Sequence, residues 1–101
     1  MVVDLTQETW SRALIRAKAR DLDVTFRESF YERDRYVELW AVSSHSNQGR
    51  FYSVRIVNGV SNVIAYCDCH AGEKGLACQH VALVLSVSGW LSDEEDALLA
   101  A

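Results

Sequence analysis

The 101-residue chain has no proline, one methionine, five glycines and three cysteines. It carries no internal repeat and no low-complexity tract. No apolar run reaches the roughly 18–20 residues that a membrane helix needs, so no membrane partner is expected. Met1-Val2-Val3-Asp4 has neither the basic n-region nor the long apolar stretch of a secretory signal. The expected location is therefore the cytoplasm, or the nucleus where the source has one. Three cysteines within twelve residues are an odd, clustered set, unlike the even and scattered cysteines of a secreted disulfide scaffold.

Charge excludes another class. The net charge is −4. A strongly basic, nonspecific nucleic-acid binder is thereby ruled out. Much of the excess sits in Asp93, Glu94, Glu95 and Asp96, so a local basic face stays open.

What the chain does have is apolar residues, at 50%. They suffice for one core, and 1–101 reads as a single domain of α+β class. Asp4 to Asp21 reads as a helix, capped by Asp4 with Gln7 or by Thr6. Trp10, Ala13, Leu14 and Ala17 form its apolar stripe, and Arg12, Arg16 and Arg20 form a basic row on another face. Four strands follow, over Val24–Tyr31, Tyr36–Ser43, Arg50–Val57 and Val60–Cys67. The polar stretch Ser43–Gly49 is a loop. Asn58-Gly59 predicts a type I′ turn. The strands read as a four-stranded antiparallel meander. Ala71–Ala77 is expected to be a loop, with Gly72 and Gly75 as flexible points. His80–Ser88, apolar almost all round, is read as a buried helix with Gly89 at its C-terminal cap. Ser92 with Glu95 can cap a short acidic helix, Asp93–Ala100, within an acidic tail at 92–101.

The chemistry concentrates in Cys67-Asp68-Cys69 and Cys78-Gln79-His80. Three thiolates and one imidazole are a common closed donor set for zinc. On a strand, Cys67 and Cys69 share a face while Asp68 points away. Residues two apart in a regular helix diverge, so Cys78 must stand just ahead of the helix in a non-helical conformation, with His80 in its first turn. The competing reading, a Cys-x-Cys redox pair, lacks the usual two intervening residues and leaves Cys-x-His unexplained. His70 and His45 read as solvated loop residues.

Four protein ligands leave no open coordination position for water or substrate. The chain shows no His-Glu-x-x-His run, no deaminase signature, no phosphate loop and no Gly-x-Ser-x-Gly. It is therefore expected not to be an enzyme and to take no small-molecule substrate.

The spacing C-x-C, eight residues, C-x-H resembles the SWIM zinc finger family. The resemblance covers Phe51 to Val87 and places a SWIM-like unit at 51–88. It implies a β-hairpin and a helix around one structural zinc per chain, held by Cys67, Cys69, Cys78 and His80. It further implies DNA binding or protein–protein contact. On family grounds nucleic acid is the leading expectation, with Arg12, Arg16, Arg20, Arg50 and Arg55 as candidate phosphate contacts and Tyr52 for stacking. The alternative is a protein–protein adaptor without direct nucleic-acid contact, which the negative net charge favours.

Overall fold

The computed structural model describes residues 1–45, 49–59 and 62–91. It is an α+β fold with the order β1 (Val2–Val3), α1 (Glu8–Ala19), β2 (Val24–Glu32), β3 (Arg35–Ser43), β4 (Phe51–Asn58), β5 (Val63–Cys67), α2 (His70–Glu73) and α3 (Gln79–Val87). The acidic helix expected at Asp93–Ala100 and its cap at Ser92 lie outside the described residues, as does the 46–48 stretch of the polar loop.

The meander is present as β2-β3-β4-β5, but the sheet has five strands, not four, in the order β1-β5-β4-β3-β2, each neighbour antiparallel. The fifth is Val2–Val3, which pairs with Ile64 and Val63. Alternation over two residues carries no periodic signal, so tertiary pairing alone makes this strand.

One helix boundary and one additional helical turn also differ from expectation. The first helix begins at Glu8, because the Asp4 carboxylate accepts both the backbone N–H (3.0 Å) and the hydroxyl (2.6 Å) of Thr6. That local turn competes with a helical start. Gln7 takes the N-cap position without a side-chain hydrogen bond. Within the segment expected to be a loop, His70–Glu73 forms one helical turn, α2. The β4–β5 connection is corrected as well. Asn58 is the last residue of β4 and pairs with Val63, and Gly59 N–H donates to the Asn62 carbonyl at 2.8 Å. Pairing thus continues through Asn58 and Val63, so Asn58-Gly59 is not the centre of a two-residue turn, and Gly59 does not take a positive φ.

The stripe of α1 is buried as its spacing requires: Trp10, Ala13, Leu14 and Ala17 are all in the core. α3 lies against β3, β4 and β5, and α1 packs on α3. Val81, Ala82, Val84 and Leu85 of α3 are fully buried, consistent with a helix covered on both sides. α3 ends in a Schellman motif. Gly89 takes φ +90°, Gly89 N–H donates to Ser86 O at 3.2 Å, and Trp90 N–H donates to Leu85 O at 2.8 Å. No helix among the described residues is long and apolar enough to cross a membrane.

Candidate metal centre

β5 ends where the sheet meets the N-terminus of α3, and the four candidate ligands converge there. Cys67 closes β5, Cys69 is the N-cap of α2, and Cys78 is the N-cap of α3. Cys78 has extended backbone angles (φ −102°, ψ 154°), and His80 follows in the first helical turn. This is the arrangement that a Cys-x-His pair needs in order to aim both side chains at one point. The ligand atoms of Cys67, Cys69, Cys78 and His80 all lie within 4.8 Å of one another, and all four residues are buried. Asp68 points away as alternation requires, and its carboxylate accepts the Ser53 N–H at 2.9 Å, clipping the end of β5 to β4.

Both N-cap cysteines use sulfur where a cap normally uses oxygen. Gly72 N–H donates to Cys69 Sγ at 3.2 Å, and Val81 N–H donates to Cys78 Sγ at 3.4 Å. Such N–H groups at helix N-termini favour thiolates. The Cys67 thiol, donating to Cys78, is the largest influence holding the Cys78 thiol down to about 4, with His80 and the Val81 N–H adding to it against burial. The same pairing pushes the Cys67 thiol up, and burial pushes Cys69 up, against the Gly72 N–H. Without a cation, buried negative charges at this range repel one another, which disfavours more than one thiolate here.

The residues present fit a divalent soft cation. His80 Nδ1 lies 3.8 Å from Cys67 Sγ. Ligand bonds of about 2.3 Å to sulfur and 2.0–2.1 Å to nitrogen, set tetrahedrally, separate S and N by about 3.6 Å. His80 Nε2 is buried with no hydrogen-bond partner among the described residues. Three sulfurs and one imidazole at one buried point are a donor set that suits such an ion. The Tyr52 ring packs against His80 with centroids 4.6 Å apart and fixes the imidazole from the sheet side.

Three features of the site were not legible in the ligand spacing. Gly72, read as a flexible point, is instead a close-approach residue. A Cβ there would lie 2.5 Å from Cys67 O and 2.8 Å from Cys67 Cβ. Gly75 takes φ +72° with open space around it. The Tyr52–His80 contact is the second feature. The third is Arg20, whose guanidinium donates to Gln79 Oε1 at 2.8 Å and ties the end of α1 to the residue between two ligands.

The five candidate arginines do not form one surface. Arg16 and Arg20 line a cleft of about 420 Å³ that opens beside the metal centre, with Tyr52, His45, His70 and Gln79 on its other walls. Arg50 sits over the Tyr52 ring at 5.1 Å and so adjoins that cleft. Arg12 pairs with Glu8 at 3.2 Å, on an exposed stretch of α1 outside the cleft lining. Arg55 alternates with Tyr52 and Val54 to the opposite sheet face, where it meets Glu32 at 3.5 Å and Tyr66. His45 and His70 stand at the cleft wall and are not part of the ligand group.

The SWIM zinc finger family model matches residues 52–89. No curated protein and no solved structure matches the chain. The match runs from the second residue of β4 through the ligand group to the Gly89 cap. Residues 52–89 thus match the SWIM zinc finger, and their C-x-C-x8-C-x-H pattern is brought to one buried point as a Cys3His group positioned to bind a metal.

Proposed function

We propose that the protein is a non-enzymatic binding module, folded around one structural Zn²⁺ per chain, that contacts nucleic-acid phosphates through the cleft beside its metal centre. Zinc would be held by Cys67, Cys69, Cys78 and His80, and its role would be to join β5, α2 and α3. The observation that carries the nucleic-acid reading is the cleft. Arg16 and Arg20 stand on one wall, Tyr52 on the other, and Arg50 adjoins Tyr52. Guanidinium groups lining one cleft suit a phosphate backbone, and they position nucleic acid without reading sequence. The preference for binding over catalysis rests on the donor count, since four protein ligands leave the ion no open position.

The test is fluorescence anisotropy of labelled single- and double-stranded DNA with the zinc-loaded chain across a salt series. Three phosphate contacts give a slope of log K against log salt of about −2 to −3. The doubly substituted Arg16→Glu, Arg20→Glu chain should retain zinc and lose binding. Absent binding at low salt, or binding insensitive to salt and to both substitutions, would overturn the proposal. The adaptor reading would then lead, and one surface favours it independently.

A further inference from the structure

The face of the sheet turned away from α1 and α3 is covered by no other element among the described residues. Strand register carries one apolar row across all five strands. Val2 opposes Ile64, Ile64 opposes Val57, Val57 opposes Val37, and Val37 opposes Phe30. Val37 and Val57 are only 1% and 4% exposed, yet both stand outside the main core cluster. They form a second, smaller apolar centre. Val2 and Phe30, at the two ends of the row, are exposed at 62% and 38%.

In the row's middle, Val37, Val57 and Ile64 floor a concavity of about 240 Å³. Its rim carries Arg33, Arg35 and Arg55 against the single acid Glu32. The chain as a whole is at −4, so this is a local reversal of sign. Glu32 is engaged with Arg55. Arg33 and Arg35 make no ion pair among the described residues. Arg33 is held at φ +59° in the two-residue turn between β2 and β3. Asp34 of that turn and Glu28, two strands from Arg55 in the same cross-strand row, are nearby acids that do not line the concavity.

We propose that this face docks an acidic peptide segment of a protein partner, with one aliphatic or aromatic side chain on the Val37–Val57–Ile64 floor and flanking carboxylates on Arg33 and Arg35. The volume suits one such side chain. The floor is aliphatic, and the Tyr66 ring already has the Arg55 guanidinium over it at 5.6 Å, so no stacking platform is offered to bases. Planar guanidinium forks match carboxylates in paired hydrogen bonds. The site draws Arg33, Arg35 and Val37 from the first half of the chain and Val57 and Ile64 from the finger, so an isolated finger would lack it. It lies on the opposite side of the sheet from the metal cleft and stands independently of the nucleic-acid reading.

The experiment is selection of a display library of random short peptides on the full, zinc-loaded chain. Anisotropy and methyl NMR with the best-enriched peptide follow. The expected result is enrichment of Asp and Glu flanking one apolar residue, with methyl shifts at Val37, Val57 and Ile64. Arg33→Glu with Arg35→Glu should weaken that peptide by about tenfold or more. Arg16→Glu with Arg20→Glu should leave it unchanged. The rim arginines are exposed, so these variants should fold, and their zinc content verifies it. The proposal is overturned by enrichment without acidic residues, by shifts confined to the metal-cleft side, or by indifference to the Arg33 and Arg35 reversals. Displacement of the peptide by single-stranded DNA from the same methyl groups would also overturn it.

Discussion

Replacing Gly72 with alanine opposes two effects of different size. Gly72 lies within the one-turn helix α2, and helix propensity alone favours alanine by about 1 kcal/mol. Against this, the new Cβ would stand 2.5 Å from the Cys67 carbonyl oxygen and 2.8 Å from Cys67 Cβ. Both neighbours belong to a ligand residue, and neither is the end of a flexible side chain. Restoring an ordinary contact of about 3.2–3.4 Å requires a relative shift of roughly 0.7–0.9 Å, while zinc ligand distances tolerate about 0.2 Å. The shift also pulls the Gly72 N–H away from Cys69 Sγ, where it donates at 3.2 Å. Disturbing groups that orient ligands typically costs 10–100-fold in metal affinity, or about 1.4–2.7 kcal/mol. We therefore expect Gly72→Ala to weaken zinc by at least about tenfold and to lower the melting temperature of the loaded protein by roughly 6–20 °C. Competition with a chromophoric chelator measures the first, and Co²⁺ substitution reports whether the thiolate environment is kept. Gly75→Ala is the control. It places a Cβ in open space at φ +72°, so it should cost about 1–2 kcal/mol of backbone strain and leave zinc affinity unchanged. A Gly72→Ala protein that binds zinc as tightly as the parent, or melts higher, would refute the close approach as a constraint on the site.

Other consequences follow from the same geometry. Leu14→Ala, at a site 3% exposed on the stripe of α1, should destabilise the fold by about 2–5 kcal/mol while the surviving folded protein keeps its zinc. Chemical denaturation with metal analysis checks it, and a loss under 1 kcal/mol would contradict the placement of α1 in the core. Zinc should be released on acidification, because protons compete for the thiolates. Pairing with Cys78 pushes the Cys67 thiol up and burial pushes Cys69 up, so both must give up a proton to bind zinc. Apparent affinity should fall by at least about tenfold per pH unit between pH 7 and 5, and a flat profile would contradict thiolate ligation.

The ligand set and the meander were legible for different reasons. Soft donors at x1 and x8 spacings are so unusual outside metal sites that their chemistry shows through the sequence, and the need for Cys78 to precede the helix follows from helical geometry. The Trp10, Ala13, Leu14, Ala17 stripe is periodic, β2 to β5 are runs rich in β-branched and aromatic residues, and both signals survive translation into structure. Val2–Val3 was invisible because two residues have no period. α2 was invisible because four residues containing a glycine look like a loop. The Asp4–Thr6 turn displaced the helix start by local competition that several equally plausible caps concealed. The arginines show the limit most clearly. Spacing of four groups Arg12, Arg16 and Arg20 on one helix, but which turn of that helix reaches the metal cleft depends on how α1 packs against α3. Likewise, parity along β4 separates Arg55 from Tyr52, but only the packing of the helices says which of the two faces carries the finger's ligands.

The most direct test of the zinc-centred fold is elemental analysis of the purified native protein, combined with a thermal melt before and after chelation. Structural zinc in small sites is worth about 10–16 kcal/mol of apparent binding energy, comparable to the whole stability of a domain, about 5–15 kcal/mol. One zinc per chain is expected, with loss of the cooperative transition for at least the β5–α3 region on chelation. A protein without bound metal, whose melt is unchanged by chelator, would contradict the structural role assigned to Cys67, Cys69, Cys78 and His80.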